Sequence, residues 1–370
     1  MLAMLAFISA VILVYLGMQY YVAFWLLRSF PGLPVAPQTL RIAVLALALL
    51  FPLSIYWLRH GSGAAEWLAY AMYVWTGALL IWLSYAAFSD GVLLLARWAG
   101  LAERVRPWAG PAVLALTLLS SAYAYWNASR PPLVHRLEVV LPNLPRELDG
   151  FKIAQISDLH LGTTVPPRRL PALVEQVNAL APDLLVLTGD LVDPSSVDEG
   201  AIERAGAGFR ARLGVLAVLG NHEFYHGLSK SLECFKGCGA RLLRGEIVEL
   251  PGGLQVAGVD DLMAARIPRA EVDALLSRLD PSKPSLFLSH QPLMFDLAAE
   301  KKVGLMLSGH THRGQIFPFG FFVRLQYRYL YGLYRRGASA LYVSQGTGQW
   351  GPPMRWLTRT EVPLIVLRAP

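Results

Sequence analysis

Four long apolar runs fill the first third of this 370-residue chain, and they constrain its fold more than any other feature. They extend from about Leu2 to Leu27, Ile42 to Leu58, Trp67 to Phe88 and Pro111 to Trp126. Val92–Trp98 could prolong the third as an interfacial segment. Crossing a bilayer takes roughly 17–25 predominantly apolar residues. Backbone in hydrocarbon must satisfy its own N–H and C=O groups, so runs of this kind form helices. Trp25, Trp57, Trp67 and Trp126 stand near the run ends, where aromatic rings favour the membrane interface. The first run is too long for a cleaved leader and lacks a basic start and a small-residue cleavage site. No Asp, Glu, Lys or His stands in the middle of a run, which counts against a transporter or ion pathway. Buried helices of a large soluble core are the competing reading.

The chain is 54% hydrophobic and 16% charged, against about 25% charged in soluble domains. The apolar excess lies in residues 1–127, and residues 135–370 have ordinary globular composition. A stretch of about 235 residues can bury its own core. The expected organisation is a four-helix transmembrane anchor over 1–128, a linker with a first strand over 129–149, and a globular domain over 150–370. Arg28, Arg41, Arg97, Arg104 and Arg106 flank the runs on one side, and Arg59, Arg130, Arg136 and Arg146 on the other. Arg28 directly follows the first run, and no basic residue precedes it. The positive-inside rule then puts the N-terminus outside the cell membrane, and four spans put the globular domain outside the cytoplasm as well. The formal charge of +7 is accounted for by membrane-flanking arginines and a mildly basic face. Such a face could attract an anionic head group or a phosphate. No dense Lys/Arg block interleaves with aromatics, so no nucleic-acid partner is expected.

Beyond Pro131-Pro132 the pattern alternates between strand and helix. Lys152–Ile156, Leu184–Leu187, Val215–Leu219, Leu254–Val259, Leu286–Leu288, Leu305–Leu307, Ala340–Val343 and Leu364–Leu367 read as strands. Pro167–Leu180 reads as a helix with Leu170, Leu173, Val174, Val177 and Leu180 on one face. That order predicts an α/β fold, a layered sandwich with helices outside and mixed sheets inside.

Five short islands follow these strands directly. They are Asp158-Leu159-His160, Gly189-Asp190-Leu191-Val192-Asp193, Gly220-Asn221-His222-Glu223, Ser289-His290 and Gly309-His310-Thr311-His312. Five of the eight histidines fall in them. In α/β folds the loops at strand carboxyl ends converge on one site. Asp, Asn and His gathered there suit a pair of metal cations, and such a pair is suited to phosphate ester hydrolysis. Carboxylate oxygens mixed with imidazoles favour Mn²⁺, Fe or Zn²⁺ over Ca²⁺ or Mg²⁺ alone.

In type and order the islands resemble the calcineurin-like metallophosphoesterase superfamily. Its pattern runs Asp-x-His, Gly-Asp, Gly-Asn-His-Asp/Glu, a lone His, then Gly-His-x-His. The resemblance covers roughly residues 135–370. The words around Ile156–Gly162 are similar to the membrane-associated branch, which includes phospholipid-related and UDP-diacylglucosamine-type pyrophosphatases. The resemblance implies a four-layer α/β/β/α sandwich and two divalent cations, with Mn²⁺ expected and Fe or Zn²⁺ as alternatives. Asp158, His160 and His312 would hold one cation. Asn221, His290 and His310 would hold the other, and Asp190 would bridge them, leaving room for a water between. His222 would be a general acid at the leaving oxygen, or would stabilise charge there. Asp193 would orient its ring, and Asn221 could touch both metal and phosphate. A purely structural His222 is the alternative, as is a turn at Asp193-Pro194-Ser195.

One departure is Arg313, where the membrane-associated branch often has Gly. Arg313 is either a phosphate clamp or a surface charge. Arg355 is a further candidate phosphate contact, beside a rim expected at Gly346-Thr347-Gly348. His226 reads as a pocket-rim or surface residue, and His60 and His135 as interfacial or solvated. Phe319–Arg336 alternates aromatics with arginines, which fits a lipid-gripping segment or a strand and loop packed on the core. Cys234 and Cys238 form either a local disulfide or two thiols at a helix end. The expected protein is a membrane-anchored phosphoesterase acting on a lipid or other amphipathic phosphate. The alternative is a catalytically silent receptor or scaffold on the same fold.

Overall fold

The computed structural model describes residues 2–60, 63–193 and 199–370; for residues 2–8, 10, 11, 59 and 60 only the backbone is described. The side chains of Arg59 and His60, and the turn expected at Pro194-Ser195, lie outside the described residues. The chain divides into two compact units, Met1–Trp126 and Asn127–Pro370.

The first unit is built from α1 (Leu2–Ser29), α2 (Pro37–His60), α3 (Gly63–Trp98) and α4 (Ala102–Ser129). Val22, Trp25, Val44, Leu79, Trp82 and Val113 form its interior. Leu13, Val14, Leu45, Leu49, Leu118 and Leu119 are nonetheless exposed. Helices apolar on every side belong in a large core or a bilayer. By length and composition, Pro37–Leu58 and Gly63–Trp98 are long and apolar enough to cross a membrane, with mean hydropathy of 2.0 and 1.8.

Two expected boundaries move. The third run does not break at Phe88, because α3 continues unbroken to Trp98. The helix carries Asp90 through this stretch because Arg28 pairs with its carboxylate and Tyr21 Oη donates to it over 2.7 Å. The fourth helix starts at Ala102 instead of Pro111 and contains Pro107 and Pro111. Its second half is diluted by Ser120, Ser121, Tyr123 and Tyr125, and Tyr85 Oη lies 2.8 Å from Ser120 Oγ.

The second unit begins with β1 (Leu133–Val140) and β2 (Lys152–Ile156), followed by α5 (Leu170–Ala179), β3 (Leu184–Thr188) and α6 (Glu199–Gly206). Next come β4 (Val215–Val218), α7 (Asn221–His226), α8 (Leu228–Gly237), β5 (Ala240–Leu242) and β6 (Glu246–Glu249). Then follow β7 (Gln255–Gly258), α9 (Arg269–Leu276), β8 (Ser285–Leu288), α10 (Phe295–Glu300) and β9 (Leu305–Ser308). It ends with α11 (Phe319–Gln326), β10 (Gly332–Arg336), β11 (Ser339–Val343) and β12 (Glu361–Arg368). The strands form two mixed six-stranded sheets, ordered β1-β12-β2-β3-β4-β5 and β10-β11-β9-β8-β7-β6.

Side-chain alternation builds the layers. All five residues of β3 are buried. Leu184 and Val186 face the second sheet, meeting Val256, Leu286, Leu288 and Leu305. Leu185 and Leu187 face outward, onto Leu170, Leu173, Val174 and Val177 of α5. Those four recur at helical spacing, as the sequence pattern requires. On the far side of the second sheet, Val272, Leu275 and Leu276 of α9 and Phe295 of α10 cover Phe287 and Met306. Each fully buried Leu, Val or Phe in these layers contributes about 1.5–3 kcal/mol. The result is the expected α/β/β/α sandwich. The expected helix at Pro167–Leu180 is a 3₁₀ turn at Pro167–Arg169 followed by α5. Cys234 and Cys238 are both free and buried, so the two-thiol reading holds.

Candidate metal centre

Every island leaves the carboxyl end of a strand. Asp158 follows β2, Asp190 follows β3 and Asn221 follows β4, three parallel neighbours of one sheet. His290 follows β8 and His310 follows β9, adjacent in the other. The loops are then tied together across the two sheets. His310 N donates to both oxygens of Asp158, at 2.9 and 3.0 Å. His222 N donates to Asp190 Oδ1 at 2.9 Å, and Asp158 N donates to the carbonyl of Gly189.

Two groups of donors result. Asp158, His160 and His312 converge in one, and Asp190, His290 and His310 in the other. Asp190 Oδ2 lies 3.1 Å from His290 Nε2 and 3.6 Å from His160 Nε2, so it faces both groups. Asn221 is buried, and its Oδ1 has no hydrogen-bond partner. A third group joins His160, Asp193 and His222. Asp193 Oδ1 is 2.7 Å from Nδ1 of both rings. The contact with His160 is a hydrogen bond. The one with His222 is an ion pair.

Partners behind each ring set which nitrogen faces inward. His290 Nδ1 donates to Thr188 O at 2.8 Å, leaving Nε2 toward the cluster. His160 Nδ1 is committed to Asp193, again leaving Nε2. His310 is reversed. Its Nε2 meets Tyr327 Oη at 2.8 Å, Tyr327 Oη in turn donates to Gln291, and Nδ1 faces inward. Such outer partners fix the ring tautomer and orientation of a metal ligand.

The backbone is bent to achieve this. Asp158, His160, Asp190, His310 and His312 all have φ between 48° and 70°. A left-handed non-glycine residue costs roughly 1–3 kcal/mol and persists only where its surroundings over-determine it. The glycine preceding Asn221 has a separate reason. A Cβ on Gly220 would stand 2.1 Å from Asp190 Oδ1, and one on Gly309 would stand 2.1 Å from Asp158 Oδ2.

Charge follows from burial and neighbours. Burial alone would raise Asp190, but His290, His222 and His160 hold it well below the usual carboxylate range. Burial and the His290 charge push His310 down to about 3, and burial and His160 also depress His312. Both rings are neutral at pH 7, with lone pairs available. Burial opposes the charged form of His222, but Asp190, Asp193 and Glu223 outweigh it and push the ring up to about 9.

The calcineurin-like phosphoesterase family model matches residues 151–314, which contain all five islands. An uncharacterized metallophosphoesterase of Campylobacter jejuni is 37% identical over 254 residues, 65% of each chain. The present chain thus spans just under two thirds of that relative's length. An uncharacterized metallophosphoesterase of Aquifex aeolicus is 36% identical over 64% of this chain and 91% of its own. A transmembrane protein with metallophosphoesterase domain from Bos taurus is 34% identical over 80% of this chain and 73% of its own. The chain belongs to the metallophosphoesterases.

A metallophosphoesterase fold implies divalent metal, and the donor set fits one. With ligand bonds of about 2.0–2.2 Å, adjacent donors on one ion stand about 3.0–3.5 Å apart. Here His160 Nε2 and His312 Nε2 are 3.1 Å apart, and His312 Nε2 and Asp158 Oδ1 are 3.4 Å apart. His290 Nε2 and His310 Nδ1 are 3.1 Å apart. The buried Asn221 Oδ1, with no hydrogen-bond partner, has its lone pairs available as one more acceptor.

This metallophosphoesterase also uses residues that the motif reading passed over. Glu223 closes the Gly-Asn-His-Glu island. Its buried carboxylate accepts from Gly220 N, Asp190 N and Leu191 N at 2.7–2.9 Å, which lashes the second and third islands together. Burial and Asp190 raise it to about 7. Tyr225 and Trp350 are exposed, with ring centroids 5.5 and 6.1 Å from that of His222, and they rim the site. Arg355 is not on an open rim. It is fully buried behind His312, with Nη1 on His312 O at 3.3 Å and Nη2 on Gly348 O at 2.6 Å. Arg313 is exposed, its guanidinium 4.7 Å from the centre of the Tyr331 ring. His226 lies 3.6 Å from Glu199, and the half-exposed His135 Nδ1 lies 2.9 Å from Tyr342 Oη.

Proposed function

We propose that the second unit hydrolyses phosphoester or pyrophosphate bonds with two divalent cations. The position of Asp190 carries the reading, since one carboxylate faces both donor groups and His222 sits beside it. Asp158, His160 and His312 would hold one cation, Asn221, His290 and His310 would hold the other, and Asp190 would serve both. Mn²⁺ suits this mixture of carboxylate, amide and imidazole, with Fe or Zn²⁺ as alternatives. Two such cations, when bound, would supply Lewis-acid polarisation of the phosphoryl group and would activate a water. The remaining work falls to the chain. His222 holds a proton for the departing oxygen. Asp193 orients His222 and His160 with the same oxygen atom. Arg355 is a positioning residue for His312, and Arg313 adds positive charge at the approach.

The first unit is the anchor, with four spans in the cell membrane and the second unit on the extracytoplasmic side. Its apolar exterior, two helices of spanning length and the transmembrane relative support a membrane anchor, and the flanking arginines favour the extracytoplasmic side. An anchored site favours amphipathic substrates such as a phospholipid, a lipid-linked pyrophosphate or a nucleotide-sugar lipid.

The test is turnover of a chromogenic phosphodiester and phosphomonoester in Mn²⁺, for wild type, Asp190→Asn and His222→Ala. Wild type should turn over, Asp190→Asn should lose metal and activity, and His222→Ala should lose activity while keeping metal. A wild type that binds two cations and hydrolyses neither ester nor a lipid phosphate would be a silent receptor. A wild type that binds no metal refutes the site itself.

A further inference from the structure

α11 is built unlike the other helices of the second unit. None of its eight residues is buried. Phe319, Phe322 and Leu325 recur every third residue, and Phe321 precedes Leu325 by four, so these side chains form one ridge. Phe321 is 63% exposed, Phe322 62% and Leu325 85%. A contiguous exposed apolar ridge on a folded domain marks a contact surface. Arginine accompanies it along the chain. From Arg313 to Arg336 there are five arginines and no acidic residue. Arg328 and Arg336 share Asp296 of α10, while Arg324 and Arg335 are exposed. Apolar rings with an arginine fringe match the two layers of an anionic bilayer surface, hydrocarbon below and phosphate above.

The helix is also tied to the metal loop. A Cβ on Gly314 would lie 2.2 Å from Gly320 N, so the first turn of α11 rests on backbone two residues beyond His312. Tyr327, directly after the helix, meets His310 at 2.8 Å.

We propose that α11 is a lipid-docking element that seats its phenylalanine and leucine ridge in the head-group boundary of an anionic membrane and holds the metal centre at that surface. The proposal rests on the membrane-anchored reading above and names the surface from which substrate is taken. Arg324 and Arg335 meet lipid phosphates, and the ridge lies about 5–10 Å into the boundary.

The experiment uses the full chain in proteoliposomes of phosphatidylcholine and phosphatidylglycerol. Both native cysteines are buried, so a single introduced cysteine takes an environment-sensitive fluorophore selectively. One variant is Leu325→Cys, and the second is Leu45→Cys in α2, which reports the anchor. The expected result is blue-shifted emission at both positions, quenched by brominated lipid. At position 325 the quenching weakens when Arg324 and Arg335 are changed to Gln, or when phosphatidylglycerol is omitted. Water-like emission at 325 with quenching at 45 overturns the docking element and leaves the anchor standing. No quenching at either position overturns both. A blue shift at 325 without lipid quenching means protein, such as a second copy, covers the helix, and this too overturns the proposal.

Discussion

Replacing Gly220 by Ala tests whether one carboxylate serves both cations. The backbone there has φ −93°, which any residue tolerates, so the substitution adds a methyl group and no torsional strain. That methyl would sit 2.1 Å from Asp190 Oδ1 and 2.6 Å from Asp190 N. An uncrowded carbon–oxygen contact needs a little over 3 Å, so the carboxylate must withdraw by about 1 Å. Rotating the side chain alone does not clear the clash with the backbone nitrogen. Overpacking of this kind costs about 1–3 kcal/mol of stability. A 1 Å displacement near reacting groups costs about 10²-fold in rate, equal to about 2.7 kcal/mol of barrier. The protein should therefore remain folded, with a lower Tm. Metal stoichiometry by elemental analysis and affinity by calorimetry should both fall, and hydrolysis of a chromogenic ester should drop about 10²-fold. Asp190→Asn should match the metal loss without the packing cost. A Gly220→Ala protein that holds two cations and turns over like wild type would falsify the assignment of Asp190 as the shared ligand.

Three further outcomes follow from the same geometry. Asp193→Asn should lower both metal affinity and kcat, because one oxygen serves His160 and His222; a fall in kcat alone would show that His160 does not depend on it. Arg355→Lys keeps the charge but loses the fork on His312 O and Gly348 O, stranding buried carbonyls at about 1–3 kcal/mol each. Metal affinity should drop about 10- to 100-fold, as when an outer partner of a ligand is removed, and unchanged calorimetric affinity would count against a positioning role. The third concerns pH. Burial pushes the Cys234 and Cys238 thiols up to about 12 from an ordinary 9.0. The folded protein therefore keeps protons that the unfolded chain releases between these values. Their stabilisation is complete below about pH 9 and is lost as pH rises toward 12. The stability difference between wild type and the Cys234→Ala/Cys238→Ala protein should fall across that window in thermal melts, and a flat difference would refute the burial argument.

The islands and the layers were legible in the sequence because both are recorded locally. A buried strand shows as a short apolar run, and in an α/β fold loops converge just beyond the strand ends, so the sequence places Asp158, Asp190, Asn221, His290 and His310 at the ends of strands, where the structure has them. The apolar runs likewise marked the helices of the first unit, but not their ends. Whether Asp90 breaks a helix depends on Arg28 and Tyr21, 62 and 69 residues away. The same limit governs the site. His312 leans on Arg355, 43 residues on, and His310 N reaches Asp158 across 152. Neither the left-handed φ of five residues of the candidate site nor the collision reserved for Gly220 leaves a periodic trace. Local pattern states whether a side chain is buried. Which partner it finds there is set by how two sheets from distant stretches of chain come together, and so only the folded structure decided it.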